Sequence, residues 1–216
     1  AIDEYRLDDG AAEDNVGLQN PQGQPIAGNI AILNRMQVEA GAELITDIRI
    51  AFGDLPLFSP VEVYLWGDFN NDGDPSDAFV LESLNGLSQT SDSNAFSTFD
   101  ISDVQLNVGD YFYIGAIVDF AAGEQPGRID LDGTDSIPNY PPMNHSWIAG
   151  GDINNDIDPN NLSLAQLPLT QIETAFGGTD GTWLVRANAT AIPGPAGVAA
   201  LVIGGLAGIG ARRRRG

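Results

Sequence analysis

The chain contains no cysteine, no lysine and a single histidine, and each scarcity excludes a kind of chemistry. Without cysteine it has no disulfide, no thiolate metal ligand and no cysteine nucleophile. Without lysine it forms no Schiff base and has no phosphate-binding loop of the Gly-Lys-Ser type. Neither a Gly-x-Ser-x-Gly nor a His-Glu-x-x-His motif occurs, and His145 is the only imidazole. We therefore predict that the protein is not an enzyme. A pair of carboxylates that cleaves polysaccharide stays open, because it requires only a spatial separation.

Positive charge is also scarce, and it is unevenly placed. The net charge is −21, and four of the nine arginines lie in the last five residues. Residues 1–191 hold the other five arginines and all 30 acidic residues, so this part carries −25. A surface this acidic repels phosphate groups and anionic lipid, so we expect cationic partners and no nucleic acid.

The C-terminal segment 192–216 has the composition of a membrane anchor. A Pro-Gly-Pro turn at Pro193 and Pro195 precedes the uncharged stretch 196–211. Sixteen helical residues span about 24 Å, slightly less than a ~30 Å hydrocarbon core. The arginines that follow can reach the headgroups and remain cytoplasmic, which places the acidic part outside; these are Arg212, Arg213, Arg214 and Arg215. We predict a short hydrophobic helix here and transient anchoring in the inner membrane.

This tail resembles the PEP-CTERM sorting signal of exported bacterial proteins, with Gly194 at the position of the usual glutamate. The resemblance implies processing by an exosortase-like membrane protease and a location at the cell surface or outside the cell. Three segments of the remaining chain are similar to surface modules of planctomycete-like bacteria: 5–18, 63–77 and 146–151.

Residues 1–191 are predicted to form one all-β domain. Nine short segments rich in Val, Ile, Phe, Tyr and Trp are separated by Gly, Asp, Asn and Pro, and none shows a sustained helical period. The segments are 30–38, 44–52, 61–66, 79–84, 95–101, 111–119, 128–131, 146–149 and 182–189. Their number and spacing favour a two-sheet antiparallel β-sandwich of the jelly-roll kind. The opening fragment near Tyr5 is a candidate for pairing with the sheet edge of another subunit.

The run 68–77 has the spacing of a calcium-binding loop. Oxygen-bearing side chains stand at positions 1, 3, 5, 7 and 10, and Gly73 stands at position 6, where such loops turn sharply. Position 12 is Phe79 rather than the glutamate of an EF-hand, so we expect the residue at position 10 to replace that ligand. The predicted ligands are Asp68, Asn70, Asp72, Asp74 and Asp77. The alternative is a surface turn whose Asp, Asn and Gly residues serve only its conformation.

A second run, 152–161, repeats this spacing with Ile157 in place of the glycine. Its predicted ligands are Asp152, Asn154, Asp156 and Asp158. The two runs either bind one Ca²⁺ each or meet and share one ion. A weaker third cluster lies at 130–135.

These features predict a non-catalytic, exported structural or adhesive protein that Ca²⁺ stabilises, with self-association or a surface glycan as partner. The alternative function is a carbohydrate-binding module. Trp66 and Trp183 stand among apolar neighbours and are expected in the core, whereas Trp147, beside the second acidic run, is the candidate for stacking on a sugar.

Overall fold

The computed structural model describes residues 3–131, 145–178 and 181–192, and strands dominate these segments. Two large antiparallel sheets pack face to face, which confirms the predicted β-sandwich. One sheet has four strands in the order β1 (Glu4–Tyr5), β13 (Val185–Thr190), β4 (Leu44–Ile50) and β7 (Ser97–Gln105). The other has six strands in the order β11 (Leu167–Gln171), β10 (Ser146–Asp152), β3 (Gly28–Gln37), β8 (Tyr111–Phe120), β5 (Pro60–Gly67) and β6 (Phe79–Leu87).

A small third sheet contains β12 (Thr182–Trp183), β9 (Gly127–Asp130) and β2 (Asp14–Val16). One helical turn, α1 (Ile172–Ala175), follows β11. A 3₁₀ turn, Pro75–Asp77, ends the first acidic run, and another, Leu162–Leu164, directly follows the second. Among the strands described, β11 is one that the sequence pattern did not predict, since it contains Pro168 and ends in the polar residues Thr170 and Gln171.

The six-stranded sheet is buried on both faces, because each of its central strands contributes to two separate apolar clusters. Toward the four-stranded sheet, Ile30, Ile32 and Ile114 pack with Ile48 and Phe99. The opposite face, called the outer face here, carries a second cluster formed by Ala31, Leu33, Tyr64, Trp66, Tyr113, Ile117 and Trp147. Burial on both sides explains the uninterrupted apolar run 30–33 in β3 and the apolar run 111–118 in β8, whereas β7 alternates between buried and exposed residues over much of its length.

The first strand pairs within its own chain. Glu4 and Tyr5 are in antiparallel register with Asn188 and Ala187 of β13. The Tyr5 ring is buried, and its hydroxyl donates to the Ala42 carbonyl over 2.9 Å. The expectation that this fragment pairs with another subunit is therefore wrong: its apolar side chain completes the core of its own sandwich.

Candidate functional site

The first acidic run connects β5 to β6 and winds around the side chain of Asp68. The Oδ1 atom of Asp68 accepts the Asn71 N–H over 2.7 Å, and Oδ2 accepts the Gly73 N–H over 2.7 Å and the Tyr113 hydroxyl over 3.2 Å. Gly73 has φ +83°, a conformation that side chains rarely adopt. The sharp turn expected at position 6 is therefore present.

The remaining oxygens of this loop alternate along the chain in successive Asx turns. Asn70 Oδ1 accepts the Asp72 N–H over 2.9 Å, and Asp72 Oδ1 accepts the Asp74 N–H over 2.8 Å. Asp74 caps the following 3₁₀ turn by accepting the Ser76 N–H over 2.9 Å. Each side chain gives one oxygen to the backbone and keeps further lone pairs available to a ligand.

Asp77 is the member of this loop whose charge is least compensated. Its Oδ1 is buried and accepts no hydrogen bond from the described residues. The pKa of Asp77 is raised, first by its partial burial and then by the negative charges of Asp68 and Asp72. The structure thus places the predicted ligands within electrostatic reach of one another. Within residues 3–131, 145–178 and 181–192, however, no three acidic or histidine side chains are close enough to hold one ion.

The second acidic run is the first part of a compact loop, residues 152–166, that begins and ends at the same place. The Asp152 N–H donates to Gln166 Oε1 over 2.8 Å, and the Gln166 amide donates to Asp152 Oδ2 over 3.2 Å. Asp152 Oδ1 accepts the Asn154 N–H over 2.9 Å, and this bond is the largest cause of the lowered pKa of Asp152. Asp152 therefore closes the base of the loop, which has the features of an Ω-loop.

The middle of the compact loop covers the outer face of the six-stranded sheet. Ile157 and Leu162 are buried in the outer cluster, and the Pro159 carbonyl accepts the Trp66 indole N–H over 2.8 Å. Ile157 at position 6 is thus an apolar anchor. The end of the second acidic run contacts β6 directly after the first run, where the Val80 N–H donates to Asn160 Oδ1 over 3.3 Å. The repeated spacing of the two runs does not produce a repeated geometry.

Asp156 and Asp158 have different surroundings from Asp152 within this loop. Asp158 Oδ1 accepts the Asn160 N–H over 2.9 Å. The pKa of Tyr64 is raised, mainly by burial and by Glu62, and the negative charge of Asp158 adds to this shift. Asp156 instead faces a cleft of about 420 Å³ between the compact loop and the sheet, named the outer cleft here. The outer cleft is lined by Asn29, Pro60, Val61, Glu62, Asn85, Gly86, Ile117, Asp119, Asp156 and Ile157. A neighbouring hollow of about 520 Å³ shares part of this lining and continues toward Phe120 and Glu124.

Sequence reasoning missed most of the outer cleft, because its polar residues come from separate strands. Asn29 and Asp119 are opposite each other in the β3–β8 register, and Glu62 lies on β5. Asp119 is an exposed residue, but the pKa of its carboxyl group is raised, mainly by partial desolvation and further by the charges of Asp156 and Glu62. One signal was available in the sequence: Asp119 is a charged residue at the end of the apolar run of β8, and Asn29 directly precedes the apolar run 30–33 of β3.

The remaining candidate residues from the sequence are buried in the fold or lie outside the described residues. Asp130 is fully buried, and its Oδ2 accepts the Asp9 N–H over 2.8 Å; Asp132 and Asp135 are not described. All three tryptophans are buried, with Trp147 only 9% exposed, so Trp147 does not offer the open ring that stacking on a sugar requires. His145 is also buried.

The predicted sorting tail lies outside the described residues, including Pro193, Pro195 and the arginines 212–215. In the part of the chain that the structure covers, no helix has the length and apolar character needed to cross a membrane. The predicted boundary between a 1–191 domain and a 192–216 tail stays a prediction.

No protein-family model matches the sequence, and no curated protein matches it significantly. Two similar solved structures are both of Cwp84. One contains the cysteine protease and lectin-like domains of Cwp84, a surface layer associated protein of Clostridium difficile; it has a TM-score of 0.50 and 14% identity over 76% of this chain and 32% of that one. The other is the clostridial cysteine protease Cwp84 after propeptide cleavage, with a TM-score of 0.51 and 14% identity over 88% of this chain and 40% of that one. The chain thus spans about a third to two fifths of these structures, and the likeness shows the fold.

Proposed function

We propose that the protein is a non-catalytic structural or adhesive protein of the cell surface, stabilised by Ca²⁺ in the 68–77 loop. The observation that carries the calcium proposal is the crowding of carboxylates around Asp77, whose buried oxygen accepts no hydrogen bond from the described residues. A bound dication offsets this repulsion. Asp68, Asn70, Asp72 and Asp77 would supply side-chain oxygens, with the Asp74 carbonyl as a further ligand.

Two observations support a location at the cell surface. The acidic composition suits a protein that meets divalent cations outside the cell. Cwp84, which has a similar fold, is a surface layer associated protein. The tail 192–216 would hold the chain in the inner membrane until an exosortase-like enzyme processes it. The intact mass of the protein recovered from its native envelope tests this step, because an uncut tail would contradict processing.

The calcium proposal is tested by thermal unfolding in EGTA and in millimolar Ca²⁺, with Mg²⁺ at equal ionic strength as control. At about 100-fold excess over Kd, binding to the folded form alone adds about 2.7 kcal/mol. For a domain of this size the unfolding midpoint should rise by roughly 5–10 °C. Equal midpoints in Ca²⁺ and Mg²⁺ would reject the site.

Matched substitutions assign the effect to this loop. We expect Asp77→Asn to abolish the Ca²⁺-dependent shift and to raise the midpoint in EGTA, because it removes one of the mutually repelling charges. Asp100→Asn, on the exposed side of β7, changes the net charge equally and should leave the Ca²⁺ shift intact. Loss of the shift in both variants would indicate general charge screening instead.

Carbohydrate binding is the second candidate function, and the outer cleft is the observation that favours it. Its volume falls within the range of small-molecule sites, and it combines apolar walls with a few polar groups. One of the Cwp84 structures with a similar fold contains a lectin-like domain. A glycan array probed with the wild-type protein tests this function, and the absence of any bound glycan would reject it.

A further inference from the structure

We propose that the second half of β6 is an interface at which two copies of the protein pair edge to edge and join their six-stranded sheets. This inference rests on the proposed structural function and names the surface that self-association would use. β6 is the last strand of its sheet, so one side of it has no neighbouring strand in the described part of the chain.

The backbone groups on this side of β6 belong to alternate residues. Ser88, directly after the strand, donates its N–H to the Ser59 carbonyl over 2.9 Å, on the side of β5. Because backbone groups of successive residues point to opposite sides of a strand, Leu87, Asn85 and Ser83 direct theirs away from β5. All three residues are exposed, and no loop or side chain among the described residues bonds to these groups. Each residue therefore leaves one donor and one acceptor for a further strand.

Both flanks of this open edge are already occupied, so its limits are defined. Toward the start of β6, a bulge interrupts the pairing with β5, and the Val80 N–H donates to Asn160 Oδ1 over 3.3 Å. Beyond the end of β6, the Gln89 N–H donates to Ser97 Oγ over 2.9 Å. Bulges and occupied donors prevent the addition of a strand, which leaves residues 83–87 as the part that can pair.

The other three edges of the two large sheets have features that oppose pairing with a second chain. β7 carries Asp100 and Asp103, β1 is two residues long and carries Glu4, and β11 contains Pro168, which has no N–H. Residues 83–91 carry no charge, although the domain around them is strongly acidic. Since two acidic copies repel each other, contact between them is favoured where both surfaces are neutral.

The open edge is also complementary to itself. In an antiparallel pair with a two-fold axis at Asn85, this residue faces its own copy, and Ser83 faces Leu87 of the second copy. Residues with outward backbone groups then oppose one another at every position, so each pair exchanges both of its N–H···O=C bonds. The two Glu82 carboxylates lie six residues apart along the paired strands, about 20 Å, well beyond the screening length of about 8 Å. Leu87, which is 50% exposed, gains an apolar contact surface.

Sedimentation equilibrium and hydrogen exchange of the full chain, in excess non-ionic detergent that separates the apolar tails, test the proposal. Between about 1 µM and about 1 mM, the range of weak association, we expect a monomer–dimer equilibrium. Amide exchange at Ser83, Asn85 and Leu87 should slow as the dimer forms. A monomer at every concentration, or a dimer in which these amides exchange as in the monomer, would overturn the proposal. The calcium-dependent unfolding described above still tests the proposed function in that case.

Variants separate this edge from the acidic surface as a whole. Asn85→Asp places two like charges opposite each other at the axis and should weaken dimerisation at least about tenfold. Ser102→Asp adds the same charge at an exposed position of β7 and should not. Leu87→Pro adds no charge but removes one interstrand donor from each copy, so it should also weaken dimerisation about tenfold. Unchanged unfolding curves confirm that the variants fold.

Equal weakening by Asn85→Asp and Ser102→Asp would identify general charge repulsion and overturn the assignment of the edge. If the chain self-associates and neither Asn85→Asp nor Leu87→Pro alters this, the structural function stands and the proposed interface is wrong.

Discussion

Arg186 on β13 forms ion pairs with two acidic residues of the N-terminal segment, Glu4 and Asp8. Its guanidinium, on β13, contacts the Asp8 carboxylate, with Nε 3.1 Å from both Asp8 oxygens, and it reaches Glu4 over 3.4 Å. It also lies over the Phe96 ring, 4.4 Å from the ring centroid. Asp8 is fully buried and Arg186 nearly so. A buried pair of this kind contributes little beyond its desolvation cost, but removal of one partner leaves an uncompensated charge.

We therefore expect Arg186→Met to destabilise the protein by about 3–5 kcal/mol, because the buried Asp8 then has no counter-ion. Urea unfolding at neutral pH measures the change. Arg6→Met, which removes an exposed arginine from the same segment, should cost within about 0.5 kcal/mol and serves as control. Adding Asp8→Asn to Arg186→Met should recover part of the loss, and a larger deficit in the double variant would contradict this account.

At the scale of elements, the compact loop 152–166 shows where sequence reasoning succeeds and where it fails. The strands were predictable, because alternation in β4 and apolar runs in β3 and β8 follow from burial on one or both faces. The role of the loop was not, because the alternating spacing of Asp and Asn residues is the same in a calcium loop and in a loop that covers the sheet. A loop that covers the sheet buries Ile157, whereas a calcium loop has a glycine at this position. The burial of Ile157 depends on its tertiary contacts with the outer face, which the sequence pattern does not reveal.

Ile157→Ala distinguishes these two roles of the compact loop. If the loop covers the sheet, the substitution should destabilise the protein by about 2–5 kcal/mol and increase quenching of tryptophan fluorescence by acrylamide, since Trp66 lies beneath the loop. Ile153, in the same loop, is 73% exposed, so Ile153→Ala should change stability by no more than about 0.5 kcal/mol. Similar effects of both substitutions would show that Ile157 does not anchor the loop.

At the scale of the whole molecule, negative charge opposes folding, and arginine compensates it at only a few points. Three of the arginines form ion pairs in the described part of the chain: Arg49 with Glu4, Arg128 with Asp92, and Arg186 with Glu4 and Asp8. The sign and size of the net charge follow from composition. The points where repulsion concentrates, around Asp77 and Asp119, required the folded chain, because residues from distant segments create them.

The stability of the protein should therefore fall as pH rises above the ordinary carboxyl pKa of about 4. The pKa values of Asp77 and Asp119 are raised in the folded state, so the folded chain binds more protons than the unfolded chain above that pH. For Asp92 and Asp152 the folded pKa is lowered, so their contribution is lost only as pH falls below about 4. The two effects together place maximal stability near the ordinary carboxyl pKa in the absence of Ca²⁺.

Urea unfolding from pH 4 to 8, in EGTA and at constant ionic strength, measures this profile. The double variant Asp77→Asn/Asp119→Asn should flatten the decline above the ordinary carboxyl pKa, because the two groups that carry it no longer titrate. The double variant Asp100→Asn/Asp103→Asn removes the same charge from exposed positions of β7 and should keep the slope. A wild-type stability that is constant or increases over the whole measured range would show that these carboxylates do not govern it. Saturating Ca²⁺ should reduce the slope as well, since the bound ion holds Asp77 in its charged form across the same range.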